Sequence, residues 1–235
     1  MHVLDITREY LSDFIGLFFP HSCEACGRTL TKGEDILCLF CLYAMPQTHY
    51  HLEKDNPAEK LFWGRADVQR AAALYFYHSR SRVQHLLHAI KYHGKKEIAY
   101  KLGHLYGSML SGTPFAEGIN LIVPVPLHEK KKRQRGYNQS DYFAMGLSES
   151  MEIPWSANIL KRKIYTQTQT AKSRFERWGN VHEVFFLPHA PSIQGKHILL
   201  VDDVITTGAT LEACTHTLQQ AEAVKVSIAA IAIAH

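Results

Sequence analysis

The sequence predicts an α/β protein built on a parallel sheet, with a small four-cysteine module ahead of it. Three observations carry this. Short apolar runs of strand-like composition alternate with segments whose apolar residues recur at helical spacing. Near the end, an apolar strand, a hydroxyl-rich turn with a glycine, an amphipathic helix and a second apolar strand follow in the order of a βαβ unit. Four of the five cysteines fall as Cys23-x2-Cys26-x11-Cys38-x2-Cys41, the spacing of two metal-binding knuckles.

The 235 residues, 46% of them apolar, suffice for one α/β domain and a small appendage. With 26 basic against 22 acidic side chains the net charge is only +4, so affinity for a polyanion has to come from a local cluster. The apolar run near the end, 228–234, is too short to span a membrane, and Asp5, Glu9 and Asp13 stand where a secretory signal would be basic. The expectation is a cytoplasmic protein with no membrane insertion. In such a reducing compartment clustered cysteines ligate metal rather than pair as disulfides.

In chain order, Leu4, Leu11, Phe14, Ile15 and Phe18 mark a short amphipathic helix that Pro20 stops, its apolar face expected against the chain's own domain. Next come Cys23, Cys26, Cys38 and Cys41, four thiolates that complete a tetrahedral shell with no position left for a substrate. That chemistry is structural zinc, with a four-thiolate iron centre left open. Pro46, Gln47, His49, His51, Asn56 and Pro57 make 45–57 read as a linker, dividing a module at 1–60 from a domain at 61–235.

Beyond it a strand is expected at 72–77, then a helix buried through Val83, Leu86, Leu87 and Ile90, and another through Ile98, Leu102, Leu105 and Met109. A strand at 121–125 leads into a basic loop and a helix aligned on Phe143, Ala144 and Leu147. The last unit is a strand at 197–201, a helix with Leu211, Cys214, Leu218 and Ala221 on one face, and a buried strand at 224–234.

The loop of that unit carries the chemistry. Asp202 and Asp203, at the carboxyl end of an apolar strand, can accept hydrogen bonds from a vicinal diol such as ribose. Gly208 lets backbone amides approach a phosphate where the helix opens at Ala209, and Thr206, Thr207 and Thr210 add hydroxyls. The alternative is a plain helix cap and turn. A Walker loop is excluded, because its lysine and first glycine are missing.

This segment resembles the phosphoribosyl-pyrophosphate (PRPP) signature of type I phosphoribosyltransferases. The resemblance implies that Asp202 and Asp203 hold the ribose hydroxyls and that Thr206, Thr207, Gly208, Ala209 and Thr210 take the 5-phosphate. Further motifs narrow it: Val123-Pro-Val-Pro-Leu-His128, Arg135-Gly-Tyr-Asn-Gln-Ser140, Lys91-Tyr-His-Gly94, Arg162-x3-Thr166-x2-Gln169 and Arg177-x2-Asn180-Val181 are similar to the ComF family. That family implies a Rossmann-like type I phosphoribosyltransferase fold behind an N-terminal zinc-binding segment. It also implies Mg2+ carried with PRPP, a link to DNA uptake in natural transformation with proteins of the uptake machinery as partners, and pyrophosphate contacts at Leu127 and His128.

Lys130, Lys131, Lys132, Arg133 and Arg135 form the densest charge, and in a parallel sheet they should face the same crevice as the acidic pair. Pyrophosphate fits there. So does single-stranded DNA, with Lys131, Arg133 and Arg135 on phosphates and Tyr137 for stacking, and so does a plain solvated loop. Cys214 reads as a core residue. His85, His88, His93 and His128 make no metal spacing, and Lys91 reads as a partner of its helix's dipole, any ligand role resting on the resemblance alone.

The last strand reaches the end of the chain, so acceptor recognition is expected from the zinc module or from another molecule. Two readings stand: a phosphoribosyltransferase acting in DNA uptake or in nucleotide metabolism, its acceptor and catalytic residues unassigned, or a non-catalytic handler of single-stranded DNA that uses the PRPP pocket only to bind.

Overall fold

A computed structural model describes residues 21–162 and 184–234. The expected N-terminal helix and the motifs at 166–169 and 177–181 lie outside the described residues.

Four parallel strands in the order β1-β6-β5-β2 form the central sheet: β1 Ala71–Tyr77, β2 Leu121–Pro124, β5 His197–Ile205 and β6 Lys225–Ala234. The two inner strands are nearly continuous apolar runs because both faces are covered, the pattern expected of a parallel sheet. A small antiparallel pair, β3 Lys161–Arg162 and β4 Phe185–Phe186, stands apart. Trp155 adds a parallel bridge to Ile122 outside β2.

Both edges are thus managed, and the stretch 45–57 that composition marks as a linker manages the second. Gln47 bridges Tyr75 antiparallel, the Thr48 amide donates to the Leu74 carbonyl at 3.1 Å, and the Phe76 amide donates to that of Pro46 at 2.8 Å. Buried Asn56 donates to the carbonyls of Ala71, Tyr50 and Glu53, and its Oδ1 accepts from the amides of Ala58 and Glu59 to cap α2, Pro57–Lys60. Prolines and polar side chains here satisfy an edge strand.

The expected helices are α3 Arg82–Tyr92, with Val83, Leu86, Leu87 and Ile90 buried, and α4 Lys96–Leu110. Helix α6, Gln139–Met151, buries Phe143, Ala144 and Leu147. Helices α4 and α6 approach so closely that a Cβ at Gly146 would strike the Tyr100 carbonyl, and one at Gly103 that of Phe143. Helix α7, Ala209–Leu218, buries Leu211, Cys214 and Leu218, and ends before Ala221. No helix among the described residues is long and apolar enough to cross a membrane.

Two stretches differ from expectation by more than one residue. The strand expected to stop at Val201 runs on to Ile205, because Asp202 and Val204 still pair with Ala230 and Ala232 of β6. The basic stretch expected as a loop is a helix, α5 Glu129–Arg135. It has no apolar stripe to betray it. It is held at its ends, where His128 Nδ1 accepts from the Lys130 amide at 3.1 Å, Glu129 lies in the first turn, three cations lie in the last, and Gly136 closes it at φ 81°.

Candidate functional site

The carboxyl ends of β5 and β2 lie side by side, Pro124 opposite Val201, with the Val125 amide donating to the Val201 carbonyl at 2.9 Å. Leu127 and His128 therefore leave the sheet next to Asp202 and Asp203. The start of α6 crosses this point. Its Ser140 Oγ donates to Oδ1 of Asp202 at 3.0 Å, and its Gln139 Nε2 donates to Oδ2 of Asp203 at 3.0 Å. Lys91, in the last turn of α3, forms an ion pair with the same Oδ2 at 3.0 Å.

Each carboxylate is thus held by one oxygen. Oδ1 of Asp202 also accepts the Asp203 amide at 2.8 Å. Among the described residues nothing donates to Oδ2 of Asp202 or Oδ1 of Asp203, and neither is sealed off. Two acceptors a residue apart are the arrangement a vicinal diol requires. Burial, then the charge of Asp203 beside it, pushes the Asp202 carboxyl up to about 7.

The turn that follows opens α7. Thr206, Thr207, Ala209 and Thr210 are exposed, and Gly208 is the N-cap at φ 76°. A side chain at Gly208 would meet the Phe62 ring 3.1 Å away. Arg65 Nη1 donates to the Thr207 carbonyl at 3.0 Å, and its other terminal nitrogen pairs with Glu212 in the first turn of α7. Phe62 and Arg65 thus brace the turn from outside the βαβ unit, and no local sequence signal marks them. Gln139 and Ser140 lie in a motif whose signal was its resemblance.

The basic cluster divides. Lys131 and Arg133 are exposed on α5, and no carboxylate among the described residues forms a direct ion pair with Lys130, Lys131 or Arg133, while the charge of Lys132 acts on Asp141. Arg135 turns inward, its Nη1 donating to Gln139 Oε1 at 2.6 Å, and it stacks over the ring of Tyr92. Tyr137, considered for stacking, donates its hydroxyl to the Ile90 carbonyl and sets its ring edge-on to Tyr142. It joins α3 to the corner between α5 and α6.

The second site is the cysteine cluster. The four sulfurs lie within 4.8 Å of one another, and Cys26 and Cys38 are 3.7 Å apart. A tetrahedral ion bound at about 2.3 Å per sulfur spaces its thiolates about 3.8 Å apart, so the set fits a four-thiolate metal. Burial and then the neighbouring thiols push the Cys41 thiol far up. Burial opposes ionisation at Cys23 too, but backbone amides of Cys38, Ala25 and Cys26 outweigh it and bring that thiol to about 7. Four thiolates this close require a cation.

Cys41 lies in α1, Leu39–Ala44, and the module docks on α3 and α4. Glu24 pairs with Lys95 at 2.7 Å, Asp35 with Lys101 at 2.8 Å, and Phe40 stacks with both Arg28 and Arg82. Cys214 is fully buried, and burial drives its thiol well up, as a core residue. Among the described residues the four cysteines are the only group with metal-ligand geometry, and His85, His88 and His93 do not join one.

Residues 112–235 match the phosphoribosyl transferase domain family. The chain is 32% identical over 192 residues to DNA utilization protein YhgH of Escherichia coli (strain K12), covering 80% of each chain. It is 39% identical over 100 residues to Competence protein F of Haemophilus influenzae, covering 42% of this chain and 44% of that one. To Competence protein ComFC of Bacillus subtilis (strain 168) it is 25% identical over 207 residues, 87% of this chain and 81% of the relative. With a phosphoribosyl transferase domain behind a four-cysteine cluster, and with these relatives, the chain belongs to the ComF family.

Proposed function

We propose that the chain binds PRPP where β5 and β2 end, with ribose on Asp202 and Asp203 and the 5-phosphate on Thr206, Thr207, Gly208, Ala209 and Thr210. The observation that carries this reading is the pair of open carboxylate oxygens beside an exposed turn that begins a helix. Leu127, His128 and the cations of α5 take the pyrophosphate side, where Mg2+ arrives with the ligand and neutralises phosphate charge. Structural zinc sits on the four cysteines, in a module assigned to 1–60 ahead of a phosphoribosyltransferase domain assigned to 61–235, with 46–56 bonded to β1 of that domain.

As a transferase the chain joins a nitrogen nucleophile to ribose C1. The new C–N bond forms as the C1–O bond breaks, and pyrophosphate leaves with the bonding electrons. On this reading Lys131, Arg133 and Arg135 stabilise that charge. The relatives named for DNA utilization and competence support a role in the use of imported DNA. The test is pyrophosphate release from PRPP and Mg2+ across a panel of bases and oligonucleotides. Release with one acceptor class supports transfer. Its absence with every acceptor, alongside salt-dependent binding to single strands, leaves the second reading.

That second reading is a non-catalytic handler of single-stranded DNA, and one observation favours it. Lys131 and Arg133 are exposed on the same short helix as Arg135, which stacks on Tyr92, a ring that is 64% exposed. Cations with an exposed ring are what a single strand needs. Tyr92 takes the stacking role first considered for Tyr137. Lys131→Glu with Arg133→Glu should weaken oligonucleotide binding and flatten its salt slope by about two units. An unchanged slope removes α5 from the interface.

A further inference from the structure

Lys91 holds an unusual place for a helix-terminal lysine. Its ammonium lies 3.0 Å from Oδ2 of Asp203, on another element. Gln139 Nε2 donates to that same oxygen at 3.0 Å, so a neutral donor already satisfies it. The lysine adds charge.

The seat is fixed. Tyr137 ties the carbonyl of Ile90, one residue earlier, and the His93 amide closes the helix on the Ala89 carbonyl at 3.0 Å. The Lys91 side chain keeps 26% of its surface exposed, against 9% for Asp203, so the ammonium stands on the solvent side of the carboxylate it pairs with. An ammonium has three N–H donors, and one is spent on Asp203.

We propose that Lys91 binds the 1-diphosphate of PRPP from its seat on Asp203, linking the carboxylate that holds the diol to the leaving group. This rests on the PRPP reading above. With a ribose hydroxyl on the open oxygen of Asp203, the diol lies within a few ångströms of the ammonium. The diphosphate hangs from the ring carbon next to the 2-hydroxyl, so its oxygens come within reach of the two remaining N–H donors. Phosphate is the acceptor that rewards a charged donor most. The neighbouring Tyr92 and Arg135 continue the same positive edge toward α5.

The experiment is calorimetric titration of the full chain with PRPP and Mg2+, and separately with ribose 5-phosphate, which has the diol and the 5-phosphate but no diphosphate. Lys91→Met should weaken PRPP binding by at least about ten-fold more than it weakens ribose 5-phosphate binding, the size expected of one charge-assisted hydrogen bond. Lys91→Arg keeps the charge and should retain most PRPP affinity, which guards against a variant that fails to fold. Equal losses for the two ligands in Lys91→Met, or no loss of PRPP, overturn the assignment and leave Lys91 a brace for Asp203. A wild-type chain that binds neither ligand overturns the PRPP reading with it.

Discussion

The ammonium of Lys91 and Oδ2 of Asp203 lie 3.0 Å apart, joining the last turn of α3 to the carboxyl end of β5. The pair makes two adjacent acids unequal. Asp203 has a cation of its own, whereas among the described residues the oxygens of Asp202 receive a hydroxyl and an amide.

Asp202→Asn should reveal that inequality as a change in pH dependence. Asp202 holds its proton in the fold to about pH 7, against 3.8 as its ordinary value, so between these limits the native chain binds a proton that the unfolded chain has released. Stability is then lost as pH rises through that window. Unfolding free energies of Asp202→Asn from denaturant titrations should be flatter from pH 4 to 7 and higher than wild type at pH 8, by on the order of a few kcal/mol at most. A wild-type profile that rises with pH through the same window, unaltered by the substitution, contradicts the assignment.

Gly208→Ala places a methyl group 3.1 Å from the Phe62 ring on a backbone at φ 76°. The left-handed conformation alone costs about 1–2 kcal/mol. A fall in melting temperature of about 4 °C is expected, with PRPP affinity lost more steeply than stability because the turn itself shifts. Unchanged PRPP affinity at reduced stability would separate this turn from the ligand.

Metal removal should act on one end of the molecule. Without a cation the buried thiols of the cluster cannot all ionise, and comparable sites contribute on the order of 10 kcal/mol to folding. A chelator should strip hydrogen-exchange protection from the amides of Cys38 and Cys41 while those of β5 and β6 stay protected. Metal analysis should find one ion per chain. Uniform loss of protection, or none, contradicts a module folded by its metal.

The βαβ unit was legible because β5 and β6 are long apolar runs flanking a helix with Leu211, Cys214 and Leu218 on one face. The cysteine cluster was legible for the same reason, since its meaning is carried by local spacing. Helix α5 was not, because five cations without an apolar stripe have no period to read, and caps and charge at its ends hold it. The stretch 45–57 reads as a linker because Pro46, Gln47, His49, His51, Asn56 and Pro57 are polar or helix-breaking, yet Asn56 and its neighbour Thr48 bond the backbone of β1. Lys91 offered only its helix terminus until the fold brought it to Asp203, and Arg65 reaches Thr207 with no local pattern at all.

The most direct test of the central claim is titration of PRPP with Mg2+ into the wild-type chain and into Asp202→Asn/Asp203→Asn. Saturable binding to the wild type, weakened at least about a hundred-fold in the double variant, is the predicted result, since two hydroxyl-to-carboxylate hydrogen bonds are replaced by neutral ones. Equal affinity in the two proteins would contradict a ribose site on this acidic pair.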